Sequence, residues 1–161
     1  MADTHKGRYQ TVNFHFRVKF IYDIGEDDYQ FQSVSGLDST LETETIKEGG
    51  ENRFEHVVPV RRKYGPLILK RGILKPKLSE EEPRKNPISL SQWLKDAFDS
   101  ENIVAIPTVI ISLLSEEQKP LMTWSISNVW PRSWKIGELN AEQGAVLIET
   151  MELNYNQLIL T

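Results

Sequence analysis

The sequence predicts a mainly β domain, a small barrel or sandwich of about seven strands with a single helix. Three observations carry that reading. Val12, Phe14, Phe16, Val18, Phe20 and Tyr22 alternate with Asn13, His15, Arg17, Lys19 and Ile21. Period-2 alternation sustained this long marks a strand with one buried face. Further apolar runs recur along the chain, bounded by Gly, Pro or charged residues, and only 90–98 keeps a helical period, with Leu90, Trp93, Leu94, Ala97 and Phe98 on one face.

After the first strand, the acidic segment 25–28 reads as a turn, and 29–34 as a short strand stopped by Ser35 and Gly36. Residues 37–47 are extended, rich in Thr and Glu, with few apolar side chains to bury; Gly49 and Gly50 then open a polar loop that reaches Glu55. Segments 56–60 and 67–74 are strands on either side of a basic turn, 61–66, whose bend is marked by Gly65 and Pro66. Ser89 and Gln92 have the spacing of a capping box at the helix start. In 108–115 Val109, Ile111 and Leu113 share a face, with Pro107 at the entrance, where a missing donor is tolerated. A hairpin turn at 116–120 leads into 121–129, where Met122, Trp124 and Ile126 alternate with Thr123, Ser125 and Ser127. Residues 130–144, with Pro131 and Gly137, read as irregular, and 145–160 returns to strand. Gly36 and Gly72 fall where strands end or bend, consistent with backbone that a Cβ would disfavour and equally with ordinary turns.

With 161 residues the chain has the length of one domain: a flexible segment at 1–10 and a single domain over 11–161. Burying roughly 70% of its unfolded surface, such a domain needs no staple. The absence of cysteine excludes thiol catalysis, thiolate metal sites and a disulfide framework. No apolar run reaches the roughly 18 residues of a membrane span, and the first ten residues lack an apolar signal core, so the expectation is synthesis in the cytoplasm without stable membrane insertion. A net charge of −4 argues against a general nucleic-acid binder while permitting local basic patches, and no sequence-specific nucleic-acid binding is expected. The charge is unevenly placed. Ten acidic residues fall in 23–55, while 61–85 holds nine basic residues against three glutamates. Opposite patches on one chain suit a self-assembling protein.

Catalytic chemistry is not visible, and the chain reads as no enzyme, with no cofactor and no metal. His5, His15 and His56 have no metal-ligand spacing, Gly49 and Gly50 lead into no phosphate loop, and Glu26, Asp27 and Asp28 lack an EF-hand's spacing. What stands out is the length of strand with a single helix to cover it. Strands with a small polar face can line a water-filled channel, and open edges can be closed by neighbouring subunits.

Several segments carry a family resemblance. Phe14 to Phe20, Phe31-Gln-Ser-Val-Ser-Gly-Leu37, Glu44-Thr-Ile-Lys-Glu-Gly-Gly50, Tyr64-Gly65 and Leu67-Ile-Leu-Lys-Arg-Gly-Ile73 come in order, followed by a helix with Trp93-Leu94, by Trp124-Ser-Ile-Ser-Asn-Val129 before Pro131, and by Ile148-Glu-Thr-Met-Glu-Leu153. Together they resemble the tail tube proteins of contractile phages and extracellular contractile injection systems, related to the type VI secretion tube protein, over about 13–160.

The resemblance implies a split β-barrel of two packed antiparallel sheets with one flanking α-helix, assembling into hexameric rings that stack into an inner tube. It implies as partners the chain itself, a sheath protein, a baseplate or spike hub protein, and cargo in the lumen, within a phage tail or a particle released from the cell. The loop with Glu48, Gly49, Gly50, Glu51, Asn52 and Arg53 would meet the next ring, against Arg61, Arg62 and Lys63 of a neighbour. Thr123, Ser125 and Ser127, with Glu42 and Glu44, are candidates for the lumen face. One departure is an inserted loop at 75–87, whose Lys75, Lys77, Glu80, Glu81, Glu82, Arg84 and Lys85 are candidates for sheath or baseplate contact. That insertion raises the alternative of a tube initiator, a baseplate-proximal subunit joining the spike hub to the tube.

Overall fold

A computed structural model of the chain describes residues 15–47, 49–50, 55–73, 90–139 and 146–161. The N-terminal segment with Val12 and Phe14, Ser89 of the expected capping box, and the inserted loop at 75–87 lie outside the described residues.

The fold is mainly β, with one helix among the described residues. In chain order the elements are β1 (Phe16–Ile21), β2 (Glu26–Tyr29), β3 (Ser33–Ser35), β4 (Ser39–Ile46), β5 (His56–Tyr64), β6 (Leu67–Gly72), α1 (Leu90–Asp99), β7 (Ile106–Leu114), β8 (Pro120–Ile136), β9 (Ile148–Asn154) and β10 (Gln157–Leu160). All pairings among the described strands are antiparallel. Seven strands follow one another in the order β2-β1-β7-β8-β9-β6-β3, with β10 beside β8, while β4 and β5, among the described residues, pair only with each other.

The 17-residue β8 joins two sheets. Its first half lies between β7 and β10, and its second half pairs with β9. A register shift between Pro131 and Ser133 marks the changeover, and a bulge there bends the strand and increases its local twist. The result corrects two expectations. Residues 130–136 are strand and not irregular, because the bulge breaks the alternation by which a strand is recognised. The strand path also ends on β2 and β3 without closing, so the single subunit is two sheets around one core and not a closed barrel.

The core lies between these sheets and the helix. Val18 and Phe20 of β1, Leu67 and Leu69 of β6, Ile126 of β8, and Met151 and Leu153 of β9 are fully buried. Leu90, Trp93, Leu94 and Ala97 are buried at the i, i+3, i+4, i+7 spacing that turns one helical face inward. Ten residues are too few for a stable isolated helix, so packing holds it. The Tyr29 hydroxyl accepts a bond from the Leu90 N–H at 3.0 Å, and Trp93 Nε1 donates to the Val104 carbonyl at 2.7 Å.

Two further segments expected as turns are strands. Glu26 and Asp28 lie in β2, opposite Ile21 and Lys19, and Lys19 donates to Glu26 across the pair at 2.9 Å. The turn is tightened instead by the Tyr22 N–H to Gly25 carbonyl bond. Arg61, Arg62 and Lys63 lie within β5. Polarity suggested a turn, but a ribbon exposed on both faces has no core side to demand apolar residues.

Candidate functional site

Two surfaces gather the residues singled out in the sequence. One is the outer face of the sheet formed by β1, β7, the first half of β8 and β10. Because directly opposed residues in a sheet share a face, the register places Ser112 with Thr123, Ile110 with Ser125 and Thr108 with Ser127. β10 adds Gln157 and Ile159 opposite Ser127 and Ser125. Val109, Ile111 and Ile126 face the core from the same strands and are buried. The outer face therefore carries a strip of short hydroxyl side chains interrupted by Ile110 and Ile159, with Ser112 Oγ and Thr123 Oγ1 3.4 Å apart. Arg17 and Lys19 continue it onto β1, opposite Ser112 and Ile110.

The second surface is the β4–β5 ribbon. Its register puts Thr40, Glu42, Glu44 and Ile46 opposite Lys63, Arg61, Val58 and His56, and a register shift after Glu42 leaves Val60 as the extra residue. Glu42 is held by two cations of the neighbouring strand, Arg61 Nε on Oε2 and Lys63 Nζ on Oε1, both at 2.6 Å. Hydrogen bonds from Lys63 and then Arg61 hold its carboxyl below the usual carboxylate range. The other ribbon face pairs Ser39 with Tyr64, Leu41 with Arg62, Thr43 with Pro59 and Thr45 with Val57. There the Arg62 guanidinium stands 5.9 Å from the Tyr64 ring centroid. Leu41 and Val57 are each 60% exposed, and Val60 56%. At the far end of the ribbon, Lys47 lies 3.7 Å from Glu55, and Gly50 takes a positive φ of 105°.

The structure thus brings Glu42 and Glu44 onto one face with Arg61 and Lys63, and puts Arg62 on the opposite face. The hydroxyl strip is on the body of the domain, apart from that ribbon. Of the tip loop, Gly49 and Gly50 are described, while Glu48, Glu51, Asn52 and Arg53 lie outside the described residues, as do Lys75, Lys77, Glu80, Glu81, Glu82, Arg84 and Lys85.

Sequence reasoning missed a buried ionic cluster. Glu149 is 4% exposed and accepts bonds from Arg71 Nε and, at 2.6 Å, from Trp134 Nε1. Arg71 also donates to Ser91 Oγ at 2.9 Å, linking β6, β8, β9 and the first turn of α1. The signal was present: Glu149, Met151 and Leu153 alternate on one face, so a glutamate stands in a core row.

Comparison with known proteins follows the same outline. Residues 12–159 match the family described as T4-like virus tail tube protein gp19. A chain in the cryo-EM structure of the anti-feeding prophage (AFP) baseplate, 6-fold symmetrised, is 30% identical, with 95% of this chain and 96% of that chain covered at a TM-score of 0.81. A chain in the sheath-tube complex of the extracellular contractile injection system PVC shares the fold at 22% identity, 96% and 93% coverage and a TM-score of 0.76. The fold is also that of Hcp1 from Flavobacterium johnsoniae, at 14% identity, 91% and 94% coverage and a TM-score of 0.53. No curated protein sequence matches the chain.

Proposed function

We propose that this chain, which belongs to the family of T4-like virus tail tube protein gp19, is a structural inner-tube subunit of a contractile injection apparatus. It is made in the bacterial cytoplasm and forms stacked hexameric rings around a lumen that delivers cargo through a target envelope. The observation that carries this reading is the β4–β5 ribbon. A two-stranded ribbon exposing Leu41, Val57 and Val60 has too little packing to stand alone in water. Neighbouring copies supply the missing cover. The strand path also ends at β2 and β3, and such ends can continue into the strands of a neighbour.

In this arrangement Thr123, Ser125 and Ser127, with Glu42 and Glu44, face the lumen, where short hydroxyls and carboxylates keep the wall hydrated between scattered aliphatic side chains such as Ile159 and Ile46. The ribbon tip, with Glu48, Gly49, Gly50, Glu51, Asn52 and Arg53, reaches the next ring. Arg61 and Lys63 are 76% and 71% exposed at their side chains. Exchanging Glu42 for carboxylates of a neighbour therefore changes little energy and mainly sets register. The sheath and the baseplate or spike hub are the remaining partners.

Purified protein, alone and seeded with tube fragments, is expected to give rings or stacked rings in negative-stain images. Monomers in both conditions would rule out the tube assignment. In the same assay, reversing Glu48 and Glu51 to Lys is expected to leave a folded subunit that fails to extend tubes. Reversal of Arg61 and Lys63 should partly restore growth, with a strong salt dependence. Tubes of normal length from the first variant would remove the stacking role of the tip.

A second reading, a baseplate-proximal tube initiator, is favoured by the 30% identity to a chain of the AFP baseplate against 22% to the PVC sheath-tube chain. Replacing 75–87 with a short Gly/Ser linker separates the two. An initiator should then give baseplates without tubes, and a bulk subunit should give tubes lacking bound sheath. Unchanged particle number, tube length and sheath attachment would show that neither role runs through this loop.

A further inference from the structure

An apolar groove of about 260 Å³ opens where the end of β1 and the start of β7 meet the C-terminal half of α1. Tyr22, Ile24, Trp93 and Val104 form its apolar walls, and Asp23 and Asp96 its charged ones; no Lys or Arg is among its described lining residues. Ile24 is 78% exposed, and Ile103 and Val104, in the segment after the helix, are 60% and 55% exposed. That segment is folded back in a fixed way. The Asp96 carbonyl accepts bonds from the N–H groups of Ser100 and Asn102, Glu101 takes a φ of 51°, and the Val104 carbonyl holds the Trp93 indole. The groove is thus a formed surface, apolar at its centre and acidic at its edge, and nothing among the described residues covers Ile24.

The same chain carries a surface of the opposite design. The ribbon face with Leu41, Thr43, Thr45, Val57 and Pro59 is largely aliphatic; the Lys47–Glu55 pair closes its far end, and Arg62 is a cation on it with no carboxylate partner among the described residues. Arg61 and Lys63 are turned to the other face and are occupied by Glu42.

We infer that this ribbon face of one copy docks in the acidic-edged groove of the next copy, Val57 and Leu41 against Ile24 and Val104, and Arg62 against Asp23 and Asp96. The contact joins two different surfaces of identical chains, so it is heterologous and repeats around a ring. Burial of the aliphatic side chains supplies the attraction, and the carboxylate–guanidinium pair selects the groove. The inference rests on the tube reading and names the subunit contact within it. Among the described residues a second groove, between Phe16, Val34, Leu37, Leu113 and Trp124, is apolar too, but it offers no carboxylate to Arg62.

The absence of cysteine makes a direct test simple. In the full chain, seeded as above and oxidised after assembly, Val57→Cys with Val104→Cys is expected to give a disulfide-linked ladder on non-reducing gels, since a bridge forms only between closely apposed backbones. Val57→Cys with Leu113→Cys, which reports on the second groove, should stay monomeric on the gel. Asp23→Lys with Asp96→Lys should reduce tube yield by about tenfold or more and Arg62→Glu should restore part of it. A ladder only from the Leu113 pair, or full yield from the two reversed aspartates, overturns the inference while leaving the tube reading in place. Wild-type protein that forms no rings even with seeds overturns both.

Discussion

Glu149→Ala is expected to lower the unfolding free energy by about 3 kcal/mol or more, a fall in Tm of roughly 10 °C for a domain of this size. The Glu149 side chain is 5% exposed and that of Arg71 17%. Truncation leaves the partly buried guanidinium without its carboxylate and the partly buried Trp134 N–H without its acceptor. Removing one member of a buried pair costs more than the pair contributes, because the survivor stays desolvated. Arg71→Met with Glu149→Leu should therefore cost less than Glu149→Ala alone. Urea unfolding of the three proteins measures the difference. A double variant no more stable than Glu149→Ala would show that Glu149 acts through shape and not charge.

This cluster also shows what the sequence could convey. The rows with a buried side were legible: the alternation from Phe16 to Tyr22, the β7–β8 hairpin with Thr123, Ser125 and Ser127 turned from the core, and the helix face of Leu90, Trp93, Leu94 and Ala97. Each depends on burial of one face, and burial imposes a period. The ribbon has no such side, so Arg61, Arg62 and Lys63 resembled a turn although they are paired strand. At Pro131 the register shift cancels the period, and β8 runs on to Ile136 unannounced. Whether the sheet closes depends on pairings between residues distant in sequence, which alternation within a segment does not encode. Glu149 was recoverable from its place between core residues. The groove at Ile24 was not, because its walls come from the turn after β1, from α1 and from the segment leading into β7 and share no pattern along the chain.

Gly36→Ala is expected to cost about 3 kcal/mol or more and to leave little folded subunit for assembly. Two independent terms add. Gly36 holds φ at +85°, where a Cβ meets its own backbone, and a Cβ built there would stand 1.9 Å from the Pro66 carbonyl oxygen and 3.2 Å from the Leu67 Cα. Those atoms are main chain at the join between the ribbon and β6, so relief requires moving a strand whose Leu67 is fully buried. Gly72 provides the contrast. Its φ is not positive, and an added Cβ would meet only Val146 Cγ1, at 3.0 Å, a side chain that is 70% exposed and free to turn. Gly72→Ala should therefore cost less than about 1 kcal/mol.

The same corner has a pH signature. The Tyr155 hydroxyl donates to the Gly36 carbonyl at 3.2 Å, its ring lies 5.4 Å from that of Tyr64, and burial, followed by the nearby Asp38 and Tyr64, pushes its pKa up to about 12. A phenol that titrates higher in the folded state than in the unfolded one contributes stability that is complete below about pH 10 and declines as pH rises toward about 12. Tyr155→Phe should lose about 1 kcal/mol at neutral pH and show a shallower alkaline decline than wild type. Urea midpoints followed through that window decide the matter. A Gly36→Ala protein with the wild-type midpoint would mean that the Pro66 carbonyl moves aside freely, and an alkaline slope unchanged in Tyr155→Phe would mean that another group titrates there.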